Sequence, residues 1–222
     1  MSSDKPRQVL TDETYERIKS LVMDQVIKPG QRISIDGLAR KLKVSQTPIR
    51  EALARLESEE LVFRKPLIGY SATQVLTADE LQDLYEFRML IEPRAAELAT
   101  KNLTPEFKKL LKQEMANIKN ISTGNSYATY KDVVQHDAKF HQLILHFAGN
   151  KFLENAFEKS HCHLHLFRLK PTNKEFQLKA LNEHLTIVRA IESGSAKAAK
   201  MAMVSHLEAS RSRMLNTSVK SA

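Results

Sequence analysis

Apolar residues recur every three or four positions from Thr11 to Lys28, with Tyr15, Ile18, Val22 and Val26 on one face and the acids Asp12 and Glu13 in the first turn. The pattern predicts an amphipathic helix ended by Lys28-Pro29-Gly30. A shorter segment, ISIDGLARKL, has Ser34 as its candidate cap and Leu38 and Leu42 on one side. The turn Lys43-Val44-Ser45 separates it from QTPIREALARLESEE, where Ser45 can cap and Pro48 falls in the first turn, at no cost for its missing N–H. Ile49, Leu53 and Leu56 are that helix's apolar face. Then the period changes: LVFRK and YSATQV are β-rich runs about Pro66-Leu67-Ile68-Gly69, which reads as a small hairpin.

From Thr77 onward strand signals vanish. TADE is a capping start at Thr77, and Leu81, Leu84, Phe87, Leu90 and Ile91 continue the helical period. Six helices are predicted, over 78–101, 104–122, 126–148, 150–169, 173–193 and 195–215, with a polar tail after Leu215. The breaks fall at Asn102–Pro105, Gly124-Asn125, Gly149-Asn150, Pro171 and Gly194, and Asn150 caps the helix it precedes. The fold expectation is therefore mainly α, with a winged helix-turn-helix carrying a small β-hairpin wing over 1–76. An all-α antiparallel helical bundle follows over 77–222.

Composition narrows the function classes. With 222 residues, 42% hydrophobic and 27% charged, the chain suits two small domains and is neither bulk-disordered nor collagen-like. No apolar run reaches the length of a membrane span, and MSSDKPRQVL lacks the apolar centre of a signal peptide, so the expected location is the cytoplasm. A single cysteine, Cys162, agrees with a reducing compartment. The net charge of +8 suggests nucleic acid, but residues 1–76 hold 13 Lys+Arg against 10 Asp+Glu and the remainder 21 against 16. Charge does not single out a DNA-binding half, so motif must.

A helix, a three-residue turn and a second helix opening on small and polar residues is the geometry that places a recognition helix in the major groove. Ser45, Gln46, Thr47 and Arg50 lie at its exposed N-terminal end, where Arg50 can read guanine or clamp phosphate. Ser45 and Thr47 can either cap the helix or donate to phosphate. Arg40 and Lys43 are candidate phosphate contacts or ordinary solvated residues, and Gly69 marks the wing. The segment L-A-x-x-L-x-V-S-x-T-P-x-R-E-A-L, from Leu38 through Leu53, resembles the GntR family of bacterial regulators, and LIGYSATQV fits the same pattern. Relatives that read V-S-R-T-P use arginine where this chain has Gln46, and glutamine prefers adenine where arginine prefers guanine. Gln46 is alternatively a neutral phosphate contact with no readout.

In the helical half, Asp137 and His141 are four apart and share a helical face, with His184 and His206 on the last two helices. Spacing alone leaves a buried polar cluster and a metal site both open. Behind a GntR-type head, LYEFRMLIEPRAAELA resembles the FadR subfamily and its FCD effector domain; six helices point to the smaller VanR-like form. The metal-binding members of that subfamily carry the same aspartate and three histidines. The resemblance thus implies Asp137, His141, His184 and His206 as ligands of a divalent zinc, nickel or manganese ion, with open positions for an effector carboxylate. Arg88 either pairs with that carboxylate or forms a salt bridge to Glu92. The run His161-Cys162-His163-Leu164-His165 looks like a metal cluster but is read as a decoy, with Cys162 and His163 pointing elsewhere. His136 and His146 are read as surface or packing residues.

The function expected is a sequence-specific DNA-binding repressor, a homodimer on a pseudo-palindromic operator, whose DNA affinity answers to a small carboxylate-containing metabolite held at the metal. No membrane partner is expected. A metal-dependent hydrolase or lyase using the His/Asp site is the alternative, and an architectural DNA-binding protein a third reading.

Overall fold

Residues 7–118, 126–169 and 174–218 are described by the structure, a computed structural model. They form two compact units, one of residues up to Val75 with Ser126–Ala128, the other from Leu76 onward without those three.

In the first unit, α1 (Arg7–Met23) buries Tyr15, Ile18 and Val22, as the apolar period predicts. It stops earlier than expected. Gln25 has φ +57°, and the turned chain leaves Val26 57% exposed while Ile27 takes the buried place. A two-residue strand β1 (Arg32–Ile33), which periodicity missed because it is too short to alternate, precedes α2 (Ile35–Leu42). Ser34 caps α2 by accepting from the Gly37 amide at 3.0 Å. Lys43 ends it in the left-handed conformation, φ +57°. α3 (Gln46–Ser58) buries Pro48, Ile49, Ala52, Leu53 and Leu56. It packs on α1, where Thr11 donates to Glu51 at 2.8 Å, Lys19 pairs with Glu59 at 2.8 Å, and Arg55 stacks over the Tyr15 ring.

The wing is β2 (Val62–Lys65) and β3 (Gly69–Ala72), paired antiparallel with Val62 opposite Ala72 and Lys65 opposite Gly69. β1 adds to the far side of β3, so the sheet order is β1-β3-β2. At the tip Leu67 is fully exposed, and Gly69 has φ +100° with open space about it; its need for glycine is conformational rather than steric.

The second unit is helical: α4 (Ala78–Lys101), α5 (Pro105–Asn117), α6 (Tyr127–Phe147), α7 (Lys151–Lys159), α8 (Cys162–Arg168), α9 (Lys174–Glu192) and α10 (Ala196–Ser218). Thr77 starts α4 with the full capping box: it accepts from the Glu80 amide while Glu80 accepts from the Thr77 amide. Ala95, Ala96 and Ala99 keep α4 narrow inside the core, alongside Phe140, Ile187, Met203 and Leu207. α4 packs closely on α10, which in turn packs on α9. α10 runs on to Ser218 where a polar tail after Leu215 was expected.

The expected six helices become seven among the described residues, so the helix count gives no support to the smaller, VanR-like form. The span 150–169 is not continuous. Asn150 caps α7 through the Phe152 and Leu153 amides, but α7 closes at Ser160 and His161 takes φ +43° before α8 begins. The expected breaks at Gly124-Asn125 and Pro171, and residues 119–122 of the second predicted helix, lie outside the described residues.

Candidate functional site

On the first unit, Arg40, Lys43, Ser45, Gln46, Thr47 and Arg50 all have exposed side chains, while the opposite face of α3 is buried. Ser45 occupies the cap position with extended backbone (φ −68°, ψ 168°), yet its hydroxyl makes no capping bond. For Ser45 the capping alternative is therefore not realised. Gln46 donates to Asp36 at 2.5 Å and accepts from Arg50 at 3.2 Å, so the two candidate base readers are tied to each other and to α2 by exposed, exchangeable bonds.

On the second unit, the four residues that the family resemblance implies as ligands converge. One ring nitrogen each from His141, His184 and His206 lies within 4.8 Å of the others, and all three residues are buried. Oδ1 of Asp137 stands 3.6 Å from Nε2 of His184 and 3.9 Å from Nε2 of His141. These separations are too long for hydrogen bonds. Two ligands each about 2.1 Å from a shared ion stand roughly 3.0–3.4 Å apart, a spacing the cluster approaches.

The ring nitrogens divide by role. Nε2 of His141 and of His184 is buried with no hydrogen-bond partner. Behind the rings, Nδ1 of His141 stands 2.5 Å from Oε2 of Glu92 in an ion-pair contact without hydrogen-bond geometry, and Nδ1 of His206 lies 2.8 Å from Oε2 of Glu183. Nδ1 of His184 is 3.1 Å from Nε2 of His136, whose own Nδ1 is 3.0 Å from Glu114. With each ring's proton on Nδ1, His184 donates to His136, His136 to Glu114 and His206 to Glu183, and Nε2 of His184 keeps its lone pair. Phe140 stacks on His184 with ring centroids 4.0 Å apart, fixing that ring's plane. A buried imidazole held on one nitrogen and unpaired on the other, as His184 is, fits a cation beside it.

Electrostatics agrees. Burial pushes the His141 imidazole down to about 4 despite Glu92 beside it. Burial, with His206 and His141 alongside, pushes His184 well below the usual histidine range. Burial would raise the Asp137 carboxyl, but the bond from His163 and the surrounding histidines hold it well below the usual carboxylate range. Neutral imidazoles and an ionised carboxylate are the forms that ligate metal.

Arg88 forms the salt bridge to Glu92. It is buried, with Nε 2.5 Å from Oε1 of Glu92, and it lines a cavity that Asp137, His184 and His206 also line. His163 corrects the sequence reading. It does not point away: it is buried, and its Nδ1 lies 2.6 Å from Oδ2 of Asp137. The left-handed turn at His161 breaks the register that a continuous helix would have imposed. His136 was read as surface or packing and is instead the brace of His184, whereas His146 is exposed and meets Glu154 at 2.9 Å. Glu183 and Arg213 were missed. Arg213 forks onto Glu183 with bonds of 2.5 and 2.7 Å, and only the adjacency of Glu183 to His184 could have hinted at it.

Residues 10–71 match the family described as "Bacterial regulatory proteins, gntR family", and residues 83–209 match the FCD domain. A relative named "Uncharacterized HTH-type transcriptional regulator YdhC", from Bacillus subtilis, is 28% identical over 86% of this chain and 85% of its own length. The Uxu operon transcriptional regulator of Escherichia coli is 26% identical over 92% of this chain and 88% of its own. The solved structure of E. coli McbR/YncC superposes with a TM-score of 0.66 at 21% identity, covering 90% of this chain and 93% of the other, which establishes likeness of fold. The matched domains and named relatives are those of transcriptional regulators, not enzymes. No helix among the described residues is long and apolar enough to cross a membrane.

Proposed function

The chain belongs to the gntR family of bacterial regulatory proteins and carries an FCD domain, and we propose that it is a metal- and acid-responsive repressor. DNA binding comes with the family. The finer reading is that α3 enters the major groove of a pseudo-palindromic operator, one protomer of a homodimer per half-site. Arg50 and Gln46 release one another to meet bases, Ser45 and Thr47 donate to phosphate, and Arg40, Lys43 and the wing about Gly69 follow the backbone. Because Gln46 stands where V-S-R-T-P relatives have arginine, adenine is favoured opposite it.

In the FCD domain, Asp137, His141, His184 and His206 would hold a divalent zinc, nickel or manganese ion. Bound there, the metal would supply positive charge and open positions for a carboxylate. The protein's own residues orient the rings, exclude water and offer Arg88 at the cavity wall. A small organic acid can then shift DNA affinity by favouring one arrangement of the DNA-binding heads over another. The observation that carries this reading is the pair of buried, unpartnered Nε2 atoms of His141 and His184, with His136 bonded behind the His184 ring and Glu92 in ion-pair contact with His141.

The test separates the two sites. Metal and any co-purified acid are identified by mass spectrometry, and operator sequences are selected from a random pool with and without that acid. Arg50→Ala is expected to abolish selective DNA binding with metal content unchanged, and His184→Ala to lose metal while still selecting DNA. Equal loss of both properties in either variant overturns the two-site reading. DNA binding without sequence preference and indifferent to acids would instead establish an architectural protein.

A further inference from the structure

Gln177 lines the cavity beside the histidine cluster, is only 4% exposed, and has no hydrogen-bond partner for either Nε2 or Oε1. A primary amide carries two donors and an acceptor, and buried polar groups in native proteins are nearly always paired. Its place on α9 gives the vacancy a direction. Gln177, Ala180, Leu181 and His184 follow at helical spacing and all line the same cavity, so the amide stands two turns, about 10 Å of rise, before the His184 ring. The rest of the wall combines the apolar Val133, Leu166, Phe167, Phe176 and Met214 with the polar Arg88, Ser210 and Arg213. The cavity volume is about 50 Å³, room for about four water-sized groups at ~10–15 Å³ each.

We propose that Gln177 reads the far end of the organic acid, and that this end is an uncharged group able both to donate and to accept, a hydroxyl or a carboxamide. This rests on the metal-anchored acid of the preceding subsection. An alkyl end would leave both amide atoms unpaired. A second carboxylate would satisfy Nε2 but, having no hydrogen to donate, would leave Oε1 unpaired against an anion. Only a donor-acceptor group answers both. The ligand is thus a short monocarboxylate with a neutral polar terminus, bound carboxylate-first toward the histidines.

Calorimetric titration of the zinc-loaded full chain tests this, with butanoate, pentanoate and hexanoate frames each ending in methyl, hydroxyl, carboxamide or carboxylate. At the best-fitting length, the hydroxyl or carboxamide end is expected to bind about tenfold tighter than the methyl end, equivalent to about 1.4 kcal/mol. Gln177→Leu should bring that ratio close to one with zinc content unchanged. Gln177→Asn, which keeps the amide, should retain the preference with a longer frame. An unchanged ranking in Gln177→Leu, or a wild-type preference for methyl or carboxylate ends, overturns the assignment to Gln177 and leaves the metal-anchored acid standing. Binding of no acid, or equal binding after zinc is removed, overturns the acid reading itself.

Discussion

The N-terminal end of α3 and the histidine cluster are both dense in polar side chains, and they are held in opposite ways. On α3 the polar residues are exposed, their mutual bonds can be traded for others, and rigidity comes from the buried back of the helix. In the cluster every ring is buried, and each of three has one nitrogen beside a neighbouring side chain, by a hydrogen bond for His184 and His206 and by an ion-pair contact for His141. A surface that must meet a variable partner needs replaceable contacts, whereas a site for one small charged group needs its geometry set in advance.

Breaking the bracing should give the largest effect. Glu92→Ala leaves the Arg88 guanidinium buried and unpaired and removes the carboxylate behind His141, so the second unit should lose about 3–5 kcal/mol. Denaturant unfolding monitored by helical circular dichroism measures this, and a loss below 1 kcal/mol would show that the pair is not a structural brace. Next in size, Glu183→Ala removes the partner of His206 without touching a candidate ligand, and metal affinity by competition with a chelator should fall about 10–100-fold. Unchanged affinity would make Glu183 only a partner of Arg213. Smallest is Lys43→Ala on the head. Specific and non-specific DNA affinity should fall together and the slope of log K against log salt shrink by about one, where a change in sequence preference would contradict a phosphate role.

The same contrast explains what the sequence made legible. The candidate DNA contacts on α2, the turn and α3 lie within one short run, from Arg40 to Arg50, so a local pattern captures them. Asp137 and His141 were visible because one helix turn brings them together. The groups around the cluster come from elsewhere: Glu92 from α4 beside His141, His163 from α8 on Asp137, and Glu114 from α5 on the His136 that backs His184. No periodicity links those positions, because packing between helices rather than spacing within one makes them neighbours. β1 escaped notice for a different reason: two residues cannot display an alternation, and their pairing with Ser71 and Tyr70 is what makes them a strand. The seventh helix was hidden in a single backbone torsion.

That torsion belongs to a residue that takes no part in the cluster. His161 is half-buried, yet its φ of +43° sets the phase of α8 and so turns Cys162 and His163 inward. A β-branched residue there would resist the left-handed conformation and favour an unbroken helix, while glycine would tolerate the turn. Sequence drift at this one position could therefore retire the His163–Asp137 contact while every residue of the cluster stays in place. A comparison of homologues that scores only the ligands would record the site as intact.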